Sequence, residues 1–128
     1  MSNAGIITES ENEWKQAGVQ TPAAAVTQIA AITLAANTMV TVEARFNGFI
    51  SDYSASLGGF LRYTARRAGA GAVEVSAPVV DIQEDSGSAP VVDADVSGND
   101  VRLLVTGVAA ETWNWTVTYN YNFTKTSV

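Results

Sequence analysis

The residues best placed to do chemistry in this chain are acidic, basic and aromatic side chains at short, regular spacings. Asp93, Asp95 and Asp100, with Asn99 beside them, offer oxygen atoms of the kind a hard cation such as calcium accepts. Their spacing is not that of an EF-hand loop, and a solvated strand face accounts for Asp93 and Asp95 more simply. Paired carboxylates could also hydrolyse glycosides as general acid and base. The acidic residues here are scattered along the chain, so such a pair would be accidental. Arg62, Arg66 and Arg67 form the one basic cluster. Arg62 and Arg66 share a strand face, where they could clamp carboxylates of a neighbouring subunit or simply stay solvated. Trp113, Trp115, Tyr119 and Tyr121 recur at period two. That row could stack sugar rings, although aromatics at this spacing more often form the buried face of a strand.

The absences are as informative. The chain has no histidine and no cysteine. The commonest general base, the Ser-His-Asp arrangement, thiolate nucleophiles, disulfides and sulfur-ligated zinc are therefore missing. These absences predict a non-enzymatic protein with no cofactor and no bound metal. A net charge of -6 argues against nucleic acid as a partner, because phosphate tracking needs clustered Lys and Arg. The acidic, polar N-terminus does not resemble a secretory signal. Thr27, Gln28 and Thr33 interrupt the alanine-rich stretch 19–36 well short of a membrane span. The expectation is a protein made in the cytoplasm, with no membrane partner.

These side chains must be held by strands. Residues 91–121 contain three alternating runs separated by the turn signal Ser-Gly-Asn-Asp at 97–100 and by a bend at Gly107. In the last run the aromatics share one face, while Asn114, Thr116, Thr118 and Asn120 share the other. That uncharged outer row could meet another subunit or be the wet face of an antiparallel sheet. Upstream, 40–47 alternates cleanly, Gly48 marks a bend or bulge, and 61–66 alternates again. Ala36-Asn37 and the Ala-Gly repeat at 68–71 are turns, and Pro78 breaks a strand line. The pattern predicts an all-β fold, an antiparallel β-sandwich of jelly-roll type with about eight strands.

Residues 1–20 read differently, as a short N-terminal arm ahead of a β-sandwich domain at 21–128. Thr8 and Ser10 each precede a Glu at capping-box spacing, which suggests one or two helical turns over 9–17. Ile6, Ile7 and Trp14 would then be partner anchors on an arm that orders only when bound.

Within 91–115 the run DADVSGNDVRLLVTGVAAETWNW, residues 93–115, resembles a β-domain that recurs in tailed-bacteriophage virion proteins. The matching pieces are Ser97-Gly98-Asn99, Val101-Arg102, Val105-Thr106-Gly107 and Asn114-Trp115. Upstream, Val42-Glu43-Ala44-Arg45 resembles that family's early strand, and Tyr63 with Arg66-Arg67-Ala68-Gly69 its arginine-rich hairpin. The resemblance spans residues 21–121. It implies a structural part of a virion, often trimeric and without catalytic residues. With no fibre trunk in the sequence, the implied role is a capsid decoration or cement protein. Its partner would be the major capsid protein or another virion protein. The alternatives are a tail-fibre or appendage head domain contacting the host, and a carbohydrate-binding module, with a host glycan as partner.

Overall fold

The computed structural model describes residues 7–10, 14–85 and 87–125. Its first strands are β1 (Ile7–Ser10), β2 (Lys15–Thr21), β3 (Val26–Thr33), β4 (Thr38–Ile50) and β5 (Ser56–Arg67). They are followed by β6 (Val73–Val75), β7 (Val79–Glu84), β8 (Val91–Ser97), β9 (Asp100–Thr106) and β10 (Trp113–Lys125). The larger, seven-stranded sheet has β10, β4 and β5 side by side at its centre. One edge is made by β1 and β2 in succession along β10, the other by β6 and β7 in succession along β5. The smaller sheet runs β3-β9-β8. Every pairing is antiparallel, so the fold is the expected all-β sandwich. The strand order does not by itself make it a jelly roll.

The core follows from the pleat. Val40, Val42, Ala44 and Phe46 of β4 and Trp113, Trp115 and Val117 of β10 point to one side. Leu61, Tyr63 and Ala65 of β5 join them. Facing them from the smaller sheet are Ile32, Val92, Ala94, Val101, Leu103 and Val105. Trp113 and Trp115 are 0% and 2% exposed and stack at 5.5 Å, so they are core and no sugar platform.

Turn chemistry agrees with the sequence at two places. Ser97 pairs with Asp100 across Gly98, whose φ of 59° suits the first central position of a tight hairpin turn. Asn37 takes a φ of 57°, which asparagine tolerates, and its Oδ1 accepts the Gly69 N–H at 2.8 Å. That bond ties the two turns at this end of the sheet together.

Two expectations are corrected. The helix over 9–17 is not formed; Ile7–Ser10 and Lys15–Thr21 are strands. Short capping signals are overridden by tertiary pairing: the flank of β10 offers a row of backbone donors and acceptors, and β2 takes it over seven residues. Gly48 does not bend β4, whose pairing with β5 and β10 runs through it without a shift. Its reason is packing. A Cβ there would lie 2.7 Å from two ring carbons of Trp115, so only glycine lets the indole lie flat on the sheet.

Gly48→Ala should therefore destabilise the domain by about 1–3 kcal/mol, the range for overpacking. Trp115→Ala, which empties the same seat, should cost about 3–5 kcal/mol. Chemical denaturation read by tryptophan fluorescence checks both; an unchanged midpoint for Gly48→Ala would refute the seat. Removing residues before Thr21 deletes β2, so the melting temperature should fall.

Candidate functional site

The sequence-predicted anchors do not come together. Ile6 lies outside the described residues, and Ile7 begins β1, paired with Lys125. Arg62 is exposed on the outward face of β5, opposite Glu43 and Val79. Arg66 shares that face and forms an ion pair with Glu74 on β6. Arg67 points the other way. Its guanidinium donates to the carbonyls of Gly71 at 2.9 Å, Leu34 at 3.2 Å and Ala70 at 3.3 Å. It is a clamp on the turns, so the three arginines are no common cluster. Trp14, by contrast, is exposed and holds its ring against the Arg45 guanidinium at 5.7 Å.

The aspartates are each engaged separately. Asp95 accepts from Arg102 through both oxygens at 2.8 and 2.6 Å, and Asp100 accepts from the Thr33 hydroxyl at 2.7 Å. Asp93 accepts from the N–H of Ala94 at 2.8 Å. They do not converge on one point, and no cluster of metal-ligating side chains lies among the described residues.

What the fold does build is an open trough of separate depressions along one row of the larger sheet's outward face. Register alone places Gly18, Thr116, Asn47, Gly58 and Gln83 in one row across β2, β10, β4, β5 and β7. All are exposed. Five strands at the usual spacing make the row about 19 Å long. One wall is the next row along the strands: Gln16, Thr118, Arg45, Phe60 and Asp81. The opposite wall is Gln20, Asn114, Phe49 and Ser56. A depression of about 450 Å³ lies over Gln16, Gly18, Asn47, Thr116 and Thr118, and it continues beside Trp14 and Arg45. Another of about 300 Å³ lies over Gly58, Phe60, Asp81 and Gln83. The larger hollow of about 540 Å³ lies beside β6, rimmed by the Arg66–Glu74 ion pair.

The walls are pre-set. Gln20 Nε2 donates to Asn114 Oδ1 at 2.9 Å, and Asn114 Nδ2 donates to Ser51 Oγ at 3.0 Å. Phe49 stacks on Tyr53 at 4.9 Å with the rings 6° from parallel. Tyr53 is 78% exposed and held at a φ of 61°, a left-handed conformation that costs a bulky residue about 1–3 kcal/mol. The stacked pair presents a flat aromatic surface to solvent beside the trough. At Gly58 a Cβ would meet nothing within 4 Å, so packing does not explain a glycine in mid-strand. Sequence reasoning saw the Asn-Thr row of β10 alone. Its continuation through Gly18, Asn47 and Gly58 depends on strand register, which one sequence does not display.

A scan against protein-family models finds no match, and neither does a search of curated proteins. Solved structures do match. Among them are two phage tailspikes. The tailspike protein of Acinetobacter baumannii phage AM24 aligns at 12% identity and a TM-score of 0.48, over 96% of this chain. A tailspike protein from Acinetobacter baumannii bacteriophage Fri1, a capsular polysaccharide depolymerase, aligns at 11% identity and a TM-score of 0.37, over 90%. This chain spans 26% of the first and 19% of the second. The Fri1 protein corrects one expectation. The chain was expected to be non-enzymatic, partly because its resemblance implied proteins without catalytic residues, yet this structural neighbour is an enzyme. The non-enzymatic assignment is withdrawn.

Asp95 gives a pH prediction. The hydrogen bond from Arg102 holds its carboxyl below the ordinary value. Its contribution is thus present above the unfolded pKa of about 3.9 and lost as pH falls through the lower folded value. The two side chains are 41% and 30% exposed, so screening limits the pair to under about 1 kcal/mol. Asp95→Asn should lower stability by no more than that at neutral pH and by nothing once the carboxyl is protonated. Calcium or a chelator should leave the melting curve of the native chain in place; a calcium-dependent rise would restore the cation site.

Proposed function

We propose that this chain is a domain of a bacteriophage virion protein, of the tail-appendage kind, and that it contacts a host-surface glycan through the trough. The observation that carries the glycan contact is a floor of neutral polar residues opened by Gly18 and Gly58 and flanked by exposed rings. Along that floor, amides and hydroxyls exchange hydrogen bonds with sugar hydroxyls without desolvating a charge, and the charges of the trough, Arg45 and Asp81, stand on one wall. Trp14 on one wall and the Phe49–Tyr53 stack on the other offer flat apolar surface to the C–H faces of pyranose rings. An open trough of this length suits a stretch of a polymer better than a single small molecule.

The virion assignment rests on the ordered motifs of 93–115, which fold as consecutive elements: the β8–β9 hairpin and then β10. Capsid decoration is set aside. It followed from the resemblance and from the lack of a fibre trunk; two solved structures that match are tailspikes, so the appendage alternative is the one carried forward.

The test is titration of the purified chain with capsular and surface polysaccharides and their fragments, following both heat and newly released reducing ends. Trp14→Ala and Gly58→Gln should each weaken binding about tenfold or more, ~1.4 kcal/mol. Neither should lower the melting temperature, since Trp14 is exposed and a Cβ at 58 enters open space in a strand that disfavours glycine. Arg66→Ala should bind as the native chain does. No binding to any polysaccharide, or variants that bind normally, would remove the trough from the argument. Reducing ends released by the native chain would add cleavage to contact.

A further inference from the structure

We propose that two copies of this chain pair edge to edge through β3, antiparallel, joining their smaller sheets into one continuous sheet. The inference is independent of the glycan reading, because β3 belongs to the other layer of the sandwich.

An edge strand exposes a row of unpaired backbone donors and acceptors, and proteins blunt such edges with charges, prolines, bulges or short lengths. Three of the four edges here are blunted by charge or proline. The β1/β2 edge carries Lys15. The β6/β7 edge carries Glu74, Asp81 and Glu84 and is interrupted at Pro78. The β8 edge carries Asp93 and Asp95. β3 carries no charge and no proline over eight residues, and no described strand pairs with its far side. It lies within residues 16–42, a stretch without a single charged side chain in a chain of net charge -6.

That charge pattern selects the occupant. Two copies of an acidic protein repel wherever their carboxylates meet, and β3 is the edge at which none do. A partner of opposite charge would be recognised at the other edges instead. A bulge between Gln28 and Ala30 protects the first half of the strand, so the pairing centres on the regular, uncharged segment 30–33. An antiparallel strand laid against its own copy is self-complementary, the geometry of a two-fold dimer. This two-fold contact differs from the trimer that the family resemblance implied. Val26, 65% exposed at the start of β3, would gain cover at the rim of the contact.

Sedimentation of the native full chain from micromolar to near-millimolar concentration should show a reversible monomer–dimer equilibrium. Ala31 lies on the outward face opposite Arg102 and is half-buried. Ala31→Lys and Ala31→Glu should each hold the chain as a monomer with native melting behaviour, because each puts like charges across the two-fold. Mixing the two variants should restore dimers. If one variant fails to fold, the other still reads the contact alone. A native chain that stays monomeric throughout, forms trimers, or dimerises equally well with either substitution would overturn the proposal.

Discussion

The structure turns on how the Trp115 indole is seated. Its ring lies flat over Gly48 on the neighbouring strand, at a distance that excludes even one methyl group. Its Nε1–H, fully buried, needs an acceptor, and the Thr21 hydroxyl at the end of β2 provides one at 2.9 Å. An unanswered indole donor in that place would cost about 1–3 kcal/mol. Thr21 is 1% exposed and is itself pressed by the bend after β9. A side chain at Gly107 would strike its hydroxyl and come within 2.7 Å of the Ala23 carbonyl. One aromatic ring therefore fixes β10 against β4, β2 against β10, and the chain that leaves the smaller sheet against both.

This inner packing also dictates the outer face. Side chains leave a strand alternately, so slipping a pairing by one residue would carry the core aromatics to solvent and the polar row inward. Trp115 opposite Gly48 is a position at which no such slip can be accommodated. The adjacent pair, one step along, is Thr116 opposite Asn47, the floor of the trough. The alignment of Gly18, Thr116, Asn47 and Gly58 is thus a consequence of the indole seat on the reverse side of the same strands. The surface residues need no mutual contacts to hold their row, which leaves their side chains available for a ligand.

Much of this is legible in the sequence where the signal is local. Alternation reveals β4, β5 and β10, the Ser-Gly-Asn-Asp turn reveals the β8–β9 hairpin, and Pro78 separates β6 from β7. The role of β2 is not local. Ala17 and Gly18 dilute its alternation, and its partner on β10 lies 94 residues away at the Thr21–Trp115 contact. Arg67 looks like its neighbours in sequence. Only the closeness of the turns at Leu34 and 70–71 makes it a clamp rather than a surface cation. The trough is legible one strand at a time, as unremarkable polar alternation, and becomes a site only when register lays five strands side by side.

Gly48 and Gly58 show how such a fold separates stability from recognition. They sit on neighbouring strands one row apart, Gly48 opposite Leu57 and Gly58 opposite Asn47. One faces inward and the other outward. Strand conformation disfavours glycine at both, because the backbone loses more freedom and no side chain packs. At Gly48 that loss is offset by the indole it admits. At Gly58 nothing in the fold offsets it, since the space above is open. A larger residue at 58 would satisfy the strand better and close the floor of the trough. The glycine keeps the floor of the outward face open, on the reverse side of the strands whose inner face carries the aromatic core.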